Sequence, residues 1–109
     1  MRYVIDIDGT ICTPGKTEET RYTEALPIQA RIDKINKLYD EGHTIVNLTA
    51  RGMGRFNNIV DLATQEFYEL TEIQLSLWEC KYHQLFLGKP SGDFYIDDKG
   101  VHSDDFFKT

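Results

Sequence analysis

The chain has little of what marks a secreted, membrane or nucleic-acid-binding protein. Only two of its 109 residues are cysteine, which argues against a disulfide framework and favours a reducing cytoplasm. It carries 12 Lys and Arg against 18 Asp and Glu, and the net charge of −6 argues against a surface for nucleic acid or anionic lipid. No apolar run is long enough to cross a bilayer and no signal-like N-terminus is present. We therefore expect a soluble, cytoplasmic protein.

Several common ligand motifs are also missing. No phosphate-binding loop of the Gly-x-x-x-x-Gly-Lys-Ser/Thr type occurs, and Gly52-Met53-Gly54 fails as a dinucleotide loop because Asn57 holds the third glycine position. The three histidines, His43, His83 and His102, are dispersed without metal-ligand spacing, which favours structural or surface roles. A chemical site must therefore be built from other residue types.

The most informative motif is Asp6-Ile7-Asp8-Gly9-Thr10, which directly follows the apolar run Tyr3-Val4-Ile5. Residues two apart in a strand point to one face, so both carboxylates should emerge together where this strand ends. A calcium loop is the alternative, but it needs further oxygen ligands and a closing Glu that residues 11–15 do not supply. Two carboxylates this close require a cation.

Strand and helix patterns alternate along the rest of the chain, which predicts a parallel sheet with right-handed crossovers. The predicted strands are residues 2–8, 43–49, 83–87 and 93–97, and the predicted helices are residues 27–42, 56–70 and 71–78. A capping-box pattern in Thr71-Glu72-Ile73-Gln74 predicts a helix break near Leu70. Phe106-Phe107, in the tail, is expected to dock on the core.

These patterns and the chain length predict one α/β domain over residues 1–109. The expected architecture is a Rossmann-like three-layer sandwich with a mainly parallel central sheet and a minimal cap. Residues 11–24 lie in a polar stretch that reads as a loop or small hairpin, and they are the expected mobile flap over the site.

Three further signals fall where later strands end. Thr49 closes the second main strand, where its hydroxyl can donate to a phosphoryl oxygen or simply cap the strand. In Gly88-Lys89-Pro90 the ammonium is either solvated or aimed at the site. Asp97-Asp98 follows Phe94-Tyr95-Ile96 and repeats the arrangement of strand followed by acid pair. Three or four carboxylates at one sheet edge require a hard divalent cation, and oxygen ligands suit Mg²⁺.

This set predicts phosphoryl transfer. With Mg²⁺ offsetting the repulsion, Asp6 can attack phosphorus to form an aspartyl phosphate. Asp8 can protonate the leaving oxygen and then activate water. The motifs Asp6–Thr10, Leu48-Thr49, Gly88-Lys89-Pro90 and Ile96-Asp97-Asp98, in this order, resemble those of the haloacid dehalogenase superfamily, over about residues 3 to 99.

The resemblance implies a role for each matching residue. It makes Asp6 the nucleophile and a magnesium ligand, Asp8 the acid/base and a further ligand through its backbone carbonyl, Thr49 and Lys89 the phosphoryl ligands, and Asp97 a magnesium ligand. Asp98 would ligate directly or through water. Gly9, Thr10 and Arg51 complete the candidate phosphate- or substrate-binding set. Arg51 and Arg55 either contact a distal anionic group of the substrate or are surface cations.

The chain is too short for a full cap domain, and it resembles the capless phosphatase subgroup, in particular small proteins associated with capsular polysaccharide biosynthesis and phages. The expected function is Mg²⁺-dependent hydrolysis of a small phosphorylated metabolite such as a sugar phosphate. A phosphomutase and a non-catalytic metal- or phosphate-binding module are the alternatives. Capless members often act on macromolecules or assemble so that a neighbour covers the site, so a homo-oligomer is one possible form of this chain.

Overall fold

A three-stranded parallel sheet and two long helices form the framework of the structure, a computed structural model that describes residues 1–108. Thr109, the last residue of the predicted domain, lies outside the described residues. The elements are, in chain order, β1 (Arg2–Ile5), β2 (Cys12–Thr13), β3 (Leu26–Pro27), α1 (Gln29–Asp40), β4 (Thr44–Thr49), α2 (Val60–Leu77), β5 (Gln84–Leu87) and α3 (Ser103–Phe106).

The strands β1, β4 and β5 lie side by side in that order and run parallel. Arg2 pairs with Thr44 across the first ladder, and Val46 pairs with Gln84 across the second. Each crossover passes through a long helix, as parallel neighbours require. The predicted α/β fold with a parallel sheet is therefore confirmed at this level.

Both long helices pack on one face of the sheet, because successive right-handed crossovers in one direction leave their helices on the same side. Ile5, Ile45 and Leu85 occupy matching positions on that face and are at most 7% exposed. Ile32 of α1 and Leu75 of α2 belong to the same buried cluster. This cluster is the main core and holds the three strands in register.

The opposite face of the sheet is much less covered. Val4 and Phe86 lie on it, and they are 60% and 48% exposed. Among residues 1–108, the two long helices form one layer and the sheet a second. The predicted three-layer sandwich is therefore not confirmed.

A small hairpin follows the first strand. Cys12 pairs with Pro27 and Thr13 with Leu26 in an antiparallel register. The amide of Ile28 also donates to the carbonyl of Ile11 at 2.8 Å, which ties the end of the hairpin to its start. The prediction of a small hairpin in this polar stretch is confirmed. Residues 14–25 connect its two strands, and part of this connection lines the same cleft as Asp6 and Asp8, which follow β1.

The predicted break near Leu70 is wrong, because α2 runs without interruption from Val60 to Leu77. The Thr71 hydroxyl donates to the carbonyl of Phe67 at 2.7 Å, one turn back in the same helix, instead of capping a new one. Thr71 and Gln74 are buried on the inner side of α2.

No helix within residues 1–108, this one included, is long and apolar enough to cross a membrane.

The fourth predicted strand is also wrong, because residues 93–97 pair with no strand in the described chain. A strand needs a neighbouring edge, and every residue from 90 to 102 is exposed instead.

The tail behaves as expected: Phe107 packs against the core cluster, and the Phe106 ring lies 5.7 Å from that of Tyr3.

Candidate functional site

The candidate site is a cleft at the carboxyl ends of the three parallel strands. Asp6 and Asp8 follow β1, Thr49 ends β4 and Lys89 follows β5, so the topology brings together four of the predicted residues. Open α/β sheets bind ligands at this edge. The cleft is also lined by Arg21, Tyr22, Arg55 and Tyr95.

Asp6 faces a positive charge inside this cleft. Its Oδ1 lies 3.8 Å from the Lys89 Nζ, and its Oδ2 accepts a hydrogen bond from the Thr10 hydroxyl at 3.4 Å. Burial raises the pKa of Asp6, and the Lys89 charge opposes this rise. The carboxylate remains 30% exposed, so it is accessible to a ligand in the cleft.

Asp8 is held by a buried arginine. The Arg51 Nε donates to Asp8 Oδ2 at 2.9 Å and its Nη2 donates to Oδ1 at 3.0 Å, a two-point contact that fixes the carboxylate plane. The Arg51 Nη1 donates to the Thr71 hydroxyl and to Gln74 Oε1. Asp8 is thus anchored to α2 through one guanidinium.

Arg51 was predicted either to contact a distal anion of the substrate or to be a surface cation; it borders the cleft, but its side chain is buried and is not a surface cation. Its guanidinium instead joins Asp8 to the inner side of α2. Arg55 is exposed and lines the cleft, so it remains as the arginine that can meet such an anion. Thr71 and Gln74 stand at helical spacing with the apolar residues that face the core. Two polar residues in such a stripe were the one sequence signal that a polar side chain, here Arg51, is buried against this helix.

Backbone turns position the other predicted phosphate-binding residues. Gly9 has a φ of +78° and its amide donates to the carbonyl of Cys12, which closes the turn that carries Thr10. Gly9 and Thr10 therefore support Asp6 and do not line the cleft. The Thr49 hydroxyl is buried and accepts from the amide of Arg51 at 3.1 Å, while its carbonyl accepts from the amide of Lys89. Thr49 thus fixes both neighbouring loops.

Asp97 and Asp98 are not brought to the cleft. Asp97 is exposed, and its Oδ1 accepts from the amides of Lys99 and Gly100 at 2.8 and 2.6 Å. These hydrogen bonds lower the pKa of Asp97. No group of three or more His, Cys, Asp or Glu side chains with metal-binding geometry occurs within residues 1–108. One chain therefore offers Asp6 and an Asp8 already held by Arg51, and this donor set does not fit Mg²⁺.

Comparison with known proteins supports the fold and adds no functional name. No protein-family model and no curated protein matches the chain. A crystal structure of a structural-genomics target from Vibrio cholerae is similar, with a TM-score of 0.88 and 25% sequence identity. The match covers 99% of this chain and 88% of that one. The two proteins share an α/β fold.

Two tyrosines line the cleft without any signal in their sequence spacing. The Tyr22 ring lies under the Arg51 guanidinium carbon at 5.0 Å, and its hydroxyl accepts from the amide of Gly52 at 3.4 Å. The Lys89 Nζ lies over the Tyr95 ring at 4.3 Å. Tyr95 belongs to an apolar run that resembled a core strand, so its place in the cleft could not be inferred from pattern alone.

Proposed function

We propose that the chain is a phosphomonoester hydrolase that uses Asp6 as its nucleophile and acts on a small phosphorylated metabolite such as a sugar phosphate. The carrying observation is the pair of Asp6 and Lys89, a carboxylate and an ammonium 3.8 Å apart in one cleft. Arg55 adds positive charge to the cleft wall, whereas the charge of Arg21 is offset by Glu18, which lines the same cleft 3.5 Å from it. A dianionic phosphoryl group suits these cations, and the carboxylate is placed to attack it.

The proposed reaction has two displacements at phosphorus. A carboxylate oxygen of Asp6 attacks phosphorus, the ester P–O bond breaks and the alcohol leaves with a proton from Asp8. Water then attacks the same phosphorus after giving a proton back to Asp8. The bond between phosphorus and Asp6 breaks, inorganic phosphate leaves and both carboxyl groups return to their starting state. Lys89 stabilises the negative charge on the phosphoryl oxygens throughout.

Asp8 must be free to exchange a proton in this scheme. Arg51 contacts both of its oxygens, but the Asp8 side chain is 25% exposed towards solvent. An oxygen that turns towards the cleft can meet the leaving group while the other keeps its hydrogen bond to Arg51. The anchoring therefore limits the motion of Asp8 without removing it from the cleft.

Mg²⁺ is the ion that the sequence motifs predict, and of the two carboxylates that follow β1, Asp6 is the one that Arg51 leaves free to hold it. When bound, the ion would add positive charge next to the phosphoryl group. Since one chain does not assemble the other donors, the steps above rest on Asp6, Asp8 and Lys89 alone.

A phosphate-release screen tests the proposed function. The wild-type chain and Asp6→Asn are assayed against sugar, nucleotide and protein phosphates, with MgCl₂ or with EDTA. We expect wild-type turnover on at least one class of small phosphate and none in the variant, and the difference between MgCl₂ and EDTA measures how far turnover depends on the metal. An isomeric sugar phosphate formed without phosphate release would indicate a mutase. Phosphate or metal binding with no turnover across the panel would contradict the enzymatic proposal.

Replacing Lys89 by Met should shift the pH dependence of the reaction. The Lys89 charge lowers the pKa of Asp6, so its loss should raise that pKa further. Asp6 attacks only when ionised, and the acidic limb of the pH–rate profile should therefore move to higher pH. We also expect about a 10²-fold loss of turnover at the optimum, because a stabilising charge is lost.

The control is Lys81→Met, which removes an ammonium that pairs with Asp40 on the surface. Its pH–rate profile should overlay that of the wild type. If Lys89→Met also leaves the acidic limb in place, Asp6 is not the group that must be ionised for turnover.

A further inference from the structure

Most cations of the cleft are paired with a carboxylate of the same cleft. The pairs are Arg51 with Asp8, Lys89 with Asp6, and Arg21 with Glu18. The remaining cation of the cleft lining is Arg55, which is exposed and forms no ion pair with any of residues 1–108. An unmatched charge in a ligand cleft favours a ligand group of the opposite sign. The cleft therefore offers one positive charge that its own carboxylates do not offset.

Arg55 is held in place by an aromatic ring. Its guanidinium carbon lies 5.1 Å from the centre of the Phe67 ring, which belongs to α2. The Phe67 side chain is buried, and its ring meets that of Tyr22 nearly at a right angle with the centres 5.0 Å apart. A guanidinium over an aromatic face is attracted to the ring and keeps its N–H groups free for another partner. Arg55 is thus oriented without using its hydrogen-bond donors.

Gly52 allows the loop that carries Arg55 to lie directly against α2. Its φ is +78°, which glycine adopts without strain. A Cβ atom at this position would lie 2.6 Å from the Phe67 ring and 3.2 Å from the Ala63 Cβ. The backbone can therefore approach the helix only because the side chain is absent. This approach brings Arg55 to the wall of the cleft that α2 supports.

The reacting groups are held by other residues. The Lys89 ammonium lies 3.8 Å from Asp6 and 4.3 Å from the centre of the Tyr95 ring. Arg55 lines the same cleft but pairs with neither Asp6 nor Asp8, so its charge is available to another part of the substrate. The cleft has a volume of about 540 Å³, a size that suits a small molecule. A phosphoryl group at Asp6 therefore leaves room for the rest of the substrate to meet Arg55.

The chemistry of Arg55 indicates which group it meets. The planar fork of a guanidinium matches the two oxygens of a carboxylate. One unmatched positive charge is also balanced by a single negative charge, whereas a second phosphate group would bring about two at neutral pH. A carboxylate is therefore the better match in both geometry and charge.

We infer that the substrate is a phosphorylated acid, whose phosphoryl group lies at Asp6 and Lys89 and whose carboxylate pairs with Arg55. The carboxylate subsite stands independently of turnover, whereas its part in a hydrolytic reaction rests on the proposed function. Attack of Asp6 on phosphorus and hydrolysis of the aspartyl phosphate would then release inorganic phosphate and a hydroxy acid.

Binding is measured by calorimetry with the Asp6→Asn chain, which does not consume its ligand. The first probes are 6-phosphogluconate and sorbitol 6-phosphate, open six-carbon chains that differ only by a carboxylate in place of a hydroxymethyl group. The shorter pair is 3-phosphoglycerate and racemic glycerol 3-phosphate. We expect the acid of at least one pair to bind about 10-fold more tightly than its partner. Equal affinities within both pairs, or no binding of any probe, would overturn the inference.

Substitutions of Arg55 in the same Asp6→Asn background assign this preference. Arg55→Met should remove it by weakening the binding of the acid alone. Arg55→Lys keeps the charge without the fork and should keep about a third of the preference. If Arg55→Met weakens both members of a pair equally, Arg55 meets the phosphoryl group and the carboxylate assignment is wrong.

The control is Arg2→Met. Arg2 is also exposed and also has no carboxylate partner within residues 1–108, but it lies at the amino end of β1, away from the cleft. Its replacement changes the net charge by the same amount and should leave the preference for the acid intact. An equal loss in Arg2→Met and Arg55→Met would mean that net charge and not the subsite sets the preference.

The choice of a carboxylate over a second phosphate has its own probe. Sorbitol 1,6-bisphosphate has the same carbon chain as 6-phosphogluconate and carries a phosphate where the acid has its carboxylate. It should bind the Asp6→Asn chain no more tightly than 6-phosphogluconate. Tighter binding of the bisphosphate that is lost in Arg55→Met would assign Arg55 to a second phosphate and overturn the carboxylate.

Turnover of the wild-type chain on the same pairs separates this inference from the proposed function. A higher kcat/KM for the acid, lost in Arg55→Met, supports both. An Arg55-dependent binding preference with no phosphate release from any probe keeps the subsite and contradicts the phosphatase proposal. Phosphate release with equal kcat/KM and equal affinity within each pair contradicts the subsite and keeps the phosphatase proposal.

Discussion

The Asp6→Asn variant is expected to lose phosphatase turnover by about 10⁴-fold or more while keeping its fold. The amide oxygen of Asn is a poor nucleophile, so the first displacement at phosphorus fails even when substrate binds normally. The measurement is turnover under saturating substrate with MgCl₂. Affinity for phosphate should change far less than turnover, because Lys89 and the cleft arginines remain.

Stability separates this loss from unfolding. Burial raises the pKa of Asp6, which means that the folded state disfavours the ionised carboxylate at neutral pH. A neutral Asn removes that cost and can still accept from the Thr10 hydroxyl, although Lys89 loses its partner. We expect the free energy of unfolding to stay within about 1 kcal/mol of the wild type.

The matched control is Asp61→Asn, at an exposed position in the first turn of α2. It changes the same functional group away from the cleft and should keep full turnover. If Asp6→Asn retains more than about a tenth of wild-type turnover, a covalent step at Asp6 is not part of the reaction.

The sequence was sufficient to place the core of the site. At Ile5-Asp6 an apolar run that ends in an acid marked the carboxyl end of a strand, and parallel strands bring such ends to one sheet edge. Thr49 and Lys89 were therefore predicted to lie near Asp6, and they line the same cleft. This inference needed only the order of strands and helices, which local patterns specify well.

The errors arose where a local signal competed with a distant partner. Thr71 and Gln74 form a good capping box in isolation, but Arg51 draws both side chains to the inner side of a continuous helix. Residues 93–97 have the composition of a strand, yet a strand forms only against an edge, and the chain leaves this run unpaired. In the first case the outcome is set by Arg51, and in the second by the lack of a neighbouring strand. The residues that form the capping-box and strand patterns do not decide either one.

The Arg51→Met variant is expected to lose about 3 kcal/mol of unfolding free energy. Met has a similar length and fills much of the volume, so the loss reports the polar contacts and not a cavity. It leaves the Asp8 carboxylate without its two-point donor and Gln74 Oε1 without its hydrogen bond. Thr71 keeps its hydrogen bond to the carbonyl of Phe67, which limits the damage on that side.

Urea unfolding at pH 7 measures this loss of unfolding free energy. A double-mutant cycle with Asp8 then shows how much of it comes from the contact between Arg51 and Asp8. Asp8→Asn alone should also destabilise, because the Arg51 charge is then buried without a carboxylate. The double variant should lose less than the sum of the two single losses, since the second substitution removes a group that the first left unpaired. Arg51→Lys keeps the charge but not the fork, and should fall between Met and wild type. Additive losses would show that Arg51 stabilises α2 through Gln74 and Thr71 without anchoring Asp8.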